Sequence, residues 1–135
     1  MKFYHLLSAL AALSLSVFTA AGQNQAPQTP EQKEKQLLEF VDKEVQRLGG
    51  MLELEYWQEF YVDSTLTHDF KAMSEELSSM QKSKVENVDL YTDVRDKWME
   101  KIDVTYKRIF NEAQWKKYMK AGGERARKAR EKRKK

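Results

Sequence analysis

The sequence predicts an all-α chain, and three observations carry that expectation. Apolar residues recur at three- and four-residue steps between residues 37 and 109, and neither proline nor glycine occurs between Gly50 and Gly122. No stretch alternates polar with apolar residues as a half-buried strand would. The expected architecture is a short N-terminal helix, a long antiparallel helical hairpin and a short C-terminal helix.

Residues 1–22 stand apart from that pattern. Met1-Lys2-Phe3-Tyr4-His5 is short and basic, and residues 6–21 are almost wholly apolar and small. Phe18-Thr19-Ala20-Ala21-Gly22 then offers small residues to a signal peptidase, so cleavage is expected after Ala21 or Gly22. A membrane anchor is the competing reading, but a span needs about twenty apolar residues and this run is shorter. The chain is therefore expected to work in the periplasm or as a secreted protein. Residues 23–29 are polar, carry Pro27 and read as a linker; residues 30–121 are the helical domain.

Thr29-Pro30-Glu31-Gln32 places a capping residue before a proline at the first helical position, with Gln at the third. Leu37, Leu38, Val41, Val45 and Leu48 follow at helical spacing, and Gly49-Gly50 is expected to end this helix, at about residues 30–48. Leu66, Phe70, Met73, Leu77 and Met80 form a second stripe, and Tyr91, Val94, Trp98, Ile102, Tyr106 and Ile109 a third. The weakest helical stretch is residues 82–89, where Asn87 or Asp89 can cap a new helix. Two helices at about 55–84 and 89–109 with a turn near 84–88 are expected; one unbroken helix is the alternative. A short helix from Asn111 to about Lys120 closes the series.

Cysteine is absent, which removes disulfides, a lipid anchor at the cleavage site and thiolate metal sites. Such a chain must hold together by packing or by oligomerising. Charge is unevenly placed. Residues 124–135 carry eight bases against two acids, a net of +6, while residues 23–123 carry a net of −4. The basic segment 122–135 has almost no apolar face and is expected to be a flexible tail. Arg125, Arg127, Lys128, Arg130, Lys132 and Arg133 are its candidate polyanion contacts. It has no aromatic residue for base stacking, and the chain is expected to be exported, so nucleic acid is not the expected partner. Anionic lipid or lipopolysaccharide is the polyanion expected there, and a solubilising tail without a partner is the alternative.

Two helix starts share one design. In Phe110-Asn111-Glu112-Ala113-Gln114-Trp115, Asn111 can accept from first-turn N–H groups while Gln114 reaches back to the N–H of Asn111. Phe110 and Trp115 stand at the positions of a hydrophobic staple. Leu54-Glu55-Tyr56-Trp57-Gln58 has the same spacing with Glu55 as the cap. Two such boxes in a short helical chain resemble the Spy/CpxP group of periplasmic stress proteins, marked by two Leu-Thr-x-x-Gln motifs. Leu54 to Gln58 and Phe110 to Gln114 take those places, with Glu55 and Asn111 replacing the threonines and Phe110 a leucine. The resemblance covers about residues 51–121. It implies a thin helical hairpin dimerising into a cradle, and ATP-independent holding of unfolded clients or modulation of envelope stress signalling; some relatives bind metal ions.

The residues themselves offer no catalytic constellation, metal site or cofactor site. His68 has Asp63, Ser64 and Asp69 nearby, but residues one apart on a helix do not face one another and residues five apart align poorly. A triad needs an oriented acid, a nucleophile and an oxyanion pocket, and zinc needs more ligands than one histidine provides. A non-enzymatic role is expected. Tyr56, Trp57, Phe60, Tyr61 and Val62 wrap around more than one helical face and cannot all be buried by one neighbour. Tyr56, Trp57, Phe60 and Tyr61 are therefore the candidate contacts for a partner, most simply a second copy in a homodimer, or an unfolded or envelope protein.

Overall fold

The computed structural model describes residues 26–135. The expected leader, and residues 23–25 of the linker, lie outside the described residues. Contacts divide the chain at Pro30, and Glu31–Lys135 is one compact unit. All regular structure among the described residues is helical: α1 Pro30–Leu52, α2 Tyr56–Lys82, α3 Val88–Ile109, α4 Glu112–Tyr118 and α5 Glu124–Arg133, the last two joined by a π-helical turn, Met119–Gly123. The chain is all-α. None of the described helices is long and apolar enough to cross a membrane.

Helix α1 corrects one boundary. It runs through Gly49-Gly50 to Leu52, and the residue that turns the chain is Glu53, at φ 53°. The Leu54 N–H closes the end on the Gly49 carbonyl at 3.1 Å, the long bond of a Schellman cap. Gly49 instead lies against the Glu59 carboxylate of α2, which an added Cβ would displace. Helix α2 ends the same way, with Lys84 at φ 54°, the Lys84 N–H on the Gln81 carbonyl and the Val85 N–H on the Met80 carbonyl. The chain therefore breaks at residues 83–87, and Asn87 caps α3 by accepting from the Asp89 N–H at 3.0 Å.

Helices α2 and α3 pack antiparallel, as cross-links at both levels show. Gln58 reaches the Ile109 carbonyl at one end, and Lys97 and Trp98 both reach Glu76 further along. The core lies toward the Gln58 end. It gathers Val41, Leu48 and Leu52 of α1, Val62 and Leu66 of α2, and Ile102, Tyr106 and Ile109 of α3, with Phe110 following. Tyr106 stacks on Phe110 with ring centres 5.0 Å apart, and Tyr118 of α4 meets both rings edge-on. Met73, Leu77, Met80, Val94 and Trp98 share the helical spacing of the core residues yet stay half-buried, outside that cluster. Two helices alone cannot enclose such side chains; α1 meets α2 at Phe70, through Phe40, and at Lys71, through Glu34.

The C-terminal segment departs most from expectation. Residues 122–135 are not a flexible tail. The chain continues from α4 through the π-helical turn, bends at Gly122 (φ 136°) and forms α5 against α3. Arg130 is 6 % exposed and pairs with Asp103, which also accepts from the Tyr118 hydroxyl at 2.7 Å. Arg133 makes two bonds to Asp96, at 2.7 and 2.8 Å, and Lys134 reaches Glu100 at 2.7 Å. Asp96, Glu100 and Asp103 lie on one face of α3 at helical spacing, so the segment lacking an apolar face docks through charge.

Candidate interaction surface

The two capping boxes meet inside the molecule. Gln58, 3 % exposed, and Gln114, 9 % exposed, exchange amide hydrogen bonds: Gln58 Nε2 donates to Gln114 Oε1 at 2.7 Å, and Gln114 Nε2 to Gln58 Oε1 at 3.1 Å. Each Oε1 also accepts the N–H of its own cap residue, Glu55 or Asn111, at 2.9 Å. Each Nε2 uses its second hydrogen on the carbonyl ending another helix. Gln58 donates to Ile109 at 2.9 Å and Gln114 to Leu52 at 3.4 Å. An amide side chain has two donors and two acceptor sites, and all four are used on both glutamines. Asn111 completes its box by accepting from the Gln114 N–H at 2.8 Å. Of the leading residues of the two boxes, Phe110 belongs to the core and half-buried Leu54 packs against it.

This pair fixes the first turns of α2, and with them the aromatic residues expected to meet a partner. Gln58, Val62 and Leu66 face inward at four-residue steps. Positions 56, 57, 60 and 61 then fall on the opposite side of the helix, because each residue advances about 100°. Tyr56 is 86 % and Phe60 62 % exposed, and Trp57 and Tyr61 are also exposed. The rings support one another: Trp57 meets Tyr61 edge-on at 6.2 Å, and Phe60 meets Tyr61 at 5.8 Å. The indole N–H of Trp57 donates to Glu55 Oε2 at 2.5 Å. At about 200 Å² per aromatic side chain, these exposures leave roughly 500 Å² of ring surface in water, in the upper half of the range for a monomer's largest patch. Acidic residues Glu53, Glu55 and Asp63 border it and are exposed.

Comparison with protein-family models, with curated proteins and with solved structures finds no match to this chain. The geometry therefore stands as the guide to function.

The other candidate residues divide. Arg130 is buried against Asp103 and not available to a polyanion, whereas Arg133 pairs with Asp96 yet stays exposed. The hydrogen bonds that Arg133 makes to Asp96 raise its pKa. Arg125, Arg127, Lys128 and Lys132 remain exposed. His68 is exposed and, although adjacent residues seldom face one another on a helix, its Nδ1 lies 2.8 Å from Asp69 Oδ1. Asp69 is buried and also faces Lys101 across the hairpin at 3.9 Å. No group of three or more His, Asp or Glu side chains among the described residues could hold a metal ion. Sequence reasoning missed Asp96, Glu100 and Asp103; their spacing along α3, opposite in sign to the last twelve residues, was the available signal.

Proposed function

We propose that this chain is a non-enzymatic, ATP-independent chaperone-like or envelope-stress protein of the periplasm. It holds unfolded or partner proteins on the surface made by Tyr56, Trp57, Phe60 and Tyr61. The observation that carries the reading is that four large rings stay in water on the outer face of a helix whose inner face is fixed by the paired glutamines. A surface of rigid aromatic side chains offers apolar area without demanding a particular partner sequence. The acidic border favours segments in which Lys or Arg neighbours apolar residues. The Spy/CpxP resemblance of the two boxes points the same way. Association with an anionic lipid or glycan would use a different face, the outer side of α5.

The patch is also the natural contact for a homodimer, in which Trp57 or Phe60 lies near the two-fold axis. Sedimentation of the wild type and of a Trp57→Ala, Phe60→Ala double variant tests this: the wild type should self-associate at high micromolar concentration and the variant should not. The functional assay is suppression of aggregation of an unrelated denatured protein in the absence of ATP. Suppression by the wild type and its loss in the double variant are expected. A wild type that never suppresses aggregation, or a variant that suppresses it equally well, would refute the reading.

A further inference from the structure

The cations among the last twelve residues do two separate jobs, according to the face of α5 they occupy. Arg130, Arg133 and Lys134 turn toward α3 and are spent on Asp103, Asp96 and Glu100. A ten-residue helix is too short to persist alone in water, so docking on α3, anchored by the buried Arg130–Asp103 pair, keeps α5 helical. Of the five remaining cations, Arg125, Lys128 and Lys132 are three and four residues apart on α5, and Lys135 lies just past its end; all four are exposed. At about 100° per residue, the three helical cations lie within an arc of roughly 60° on the side away from Arg130 and Arg133. They span about 10 Å along the helix, at 1.5 Å per residue, while Arg127 stands on another side, near Glu131.

We propose that this outer face of α5 docks on the phosphate surface of an anionic phospholipid bilayer. Charge complementarity argues for an anion, and the shape of the row argues for a flat array of anions. Three of the four cations stand on one outer face of a helix and the fourth follows its end, with no aromatic residue to stack on a base or sugar. No large apolar side chain accompanies them, so the contact is with headgroups and does not insert. Glu124 pairs with Lys128 at 2.9 Å and Glu131 lies 3.9 Å from Arg127; both acids flank the row and leave it net positive. The rest of the expected mature chain, residues 23–123, carries a net of −4, so a negative surface repels the body and selects the α5 side. The inward pairs pre-organise the row by holding the helix still.

The test is cosedimentation of the full chain with vesicles of phosphatidylcholine, alone or with one third phosphatidylglycerol, at about 0.05 M salt. The apolar sequence at residues 6–21 contributes equally to both vesicles and cancels in the ratio of the two partition coefficients. That ratio should favour the anionic vesicles and fall to near unity at about 0.5 M salt, where exposed charges are screened. Replacing Arg125, Lys128, Lys132 and Lys135 by Gln should lower it by on the order of a hundredfold or more, at about fivefold per cation. Removing the four one at a time gives a graded series that does not depend on one heavily altered variant folding. The control replaces exposed Lys33, Lys35, Lys43 and Lys71 by Gln, the same change in net charge elsewhere. That control should keep the preference. Equal loss in both quadruple variants, a wild type without preference, or binding of soluble polyphosphate without preference for anionic vesicles would each overturn the proposal. Aggregation suppression is unaffected by these outcomes, so the two readings fail separately.

Discussion

Replacing Gln114 by Leu probes the joint between the two capping boxes. The substitution keeps apolar bulk but deletes every side-chain bond that Gln114 makes. It strips the Asn111 N–H of its acceptor, the Leu52 carbonyl of a donor, and Gln58 of both bonds to its partner amide. The Asn111 N–H is partly exposed and can recover water; the Gln58 groups sit in the buried core. With two to three buried polar groups left unpaired at about 1–3 kcal/mol each, a loss of about 3 kcal/mol is expected. Gln58→Leu should cost a similar amount, because its bonds mirror those of Gln114. The informative measurement is the double variant. Once one amide is gone, removing the other eliminates the orphaned groups that the first change created. The double loss should therefore be about 4 kcal/mol, well short of the additive sum, a coupling on the order of 2 kcal/mol. Urea unfolding followed by circular dichroism reads this directly, provided the slope with denaturant stays constant across the set. Additive losses, with coupling below about 0.5 kcal/mol, would show that the two boxes act independently and refute the reciprocal pair.

Three further outcomes follow from the C-terminal half. Gly122→Ala forces a side chain into φ 136°, a conformation open mainly to glycine, and should cost about 1–3 kcal/mol in thermal or urea unfolding. Asp103→Asn leaves the Arg130 guanidinium buried beside a neutral amide; about 3 kcal/mol should be lost, and amide exchange along α5 should accelerate. Burial raises the Tyr106 and Tyr118 pKa values, for Tyr118 reinforced by the Asp103 charge, whereas the unfolded chain titrates near 10. The folded state thus keeps protons that the unfolded state releases. Their contribution is complete below pH 10 and declines as pH rises past it, by up to about 1.4 kcal/mol per pH unit for each tyrosine. A Tyr106→Phe, Tyr118→Phe variant should show a flatter alkaline limb in the midpoint of urea unfolding.

The helices were legible because their starts are written locally. Asn87 and Asn111 announce caps by residue type, Pro30 sits where a first turn tolerates it, and the reach of Gln58 and Gln114 back to their caps follows from spacing alone. What the spacing could not reveal was that the two amides would also face one another, since that depends on how the hairpin brings residues 56 apart together. Gly49-Gly50 misled for a related reason: glycine is both a helix terminator and a means of close approach. Here the neighbour was Glu59 of α2, while an ordinary Glu53 made the turn. The docked α5 was hidden because an apolar stripe was the sign sought, and its partner is a row of carboxylates. For the aromatic turn, the conflict was visible in advance: Val62 took the inward position, and Tyr56, Trp57, Phe60 and Tyr61 were left outside.

The reciprocal amides also impose an order on events as the chain is made. Gln58 emerges 56 residues before Gln114, so the corner between α1 and α2 has no proper partner until nearly the whole helical region has been synthesised. Until then the Leu52 carbonyl and three of the four Gln58 amide positions must be satisfied by water, which holds that corner open. Closing a loop of this size costs chain entropy before it returns any contact. Completion of the core should therefore come late and in one cooperative step, leaving the N-terminal helices loosely joined while the rest of the chain arrives.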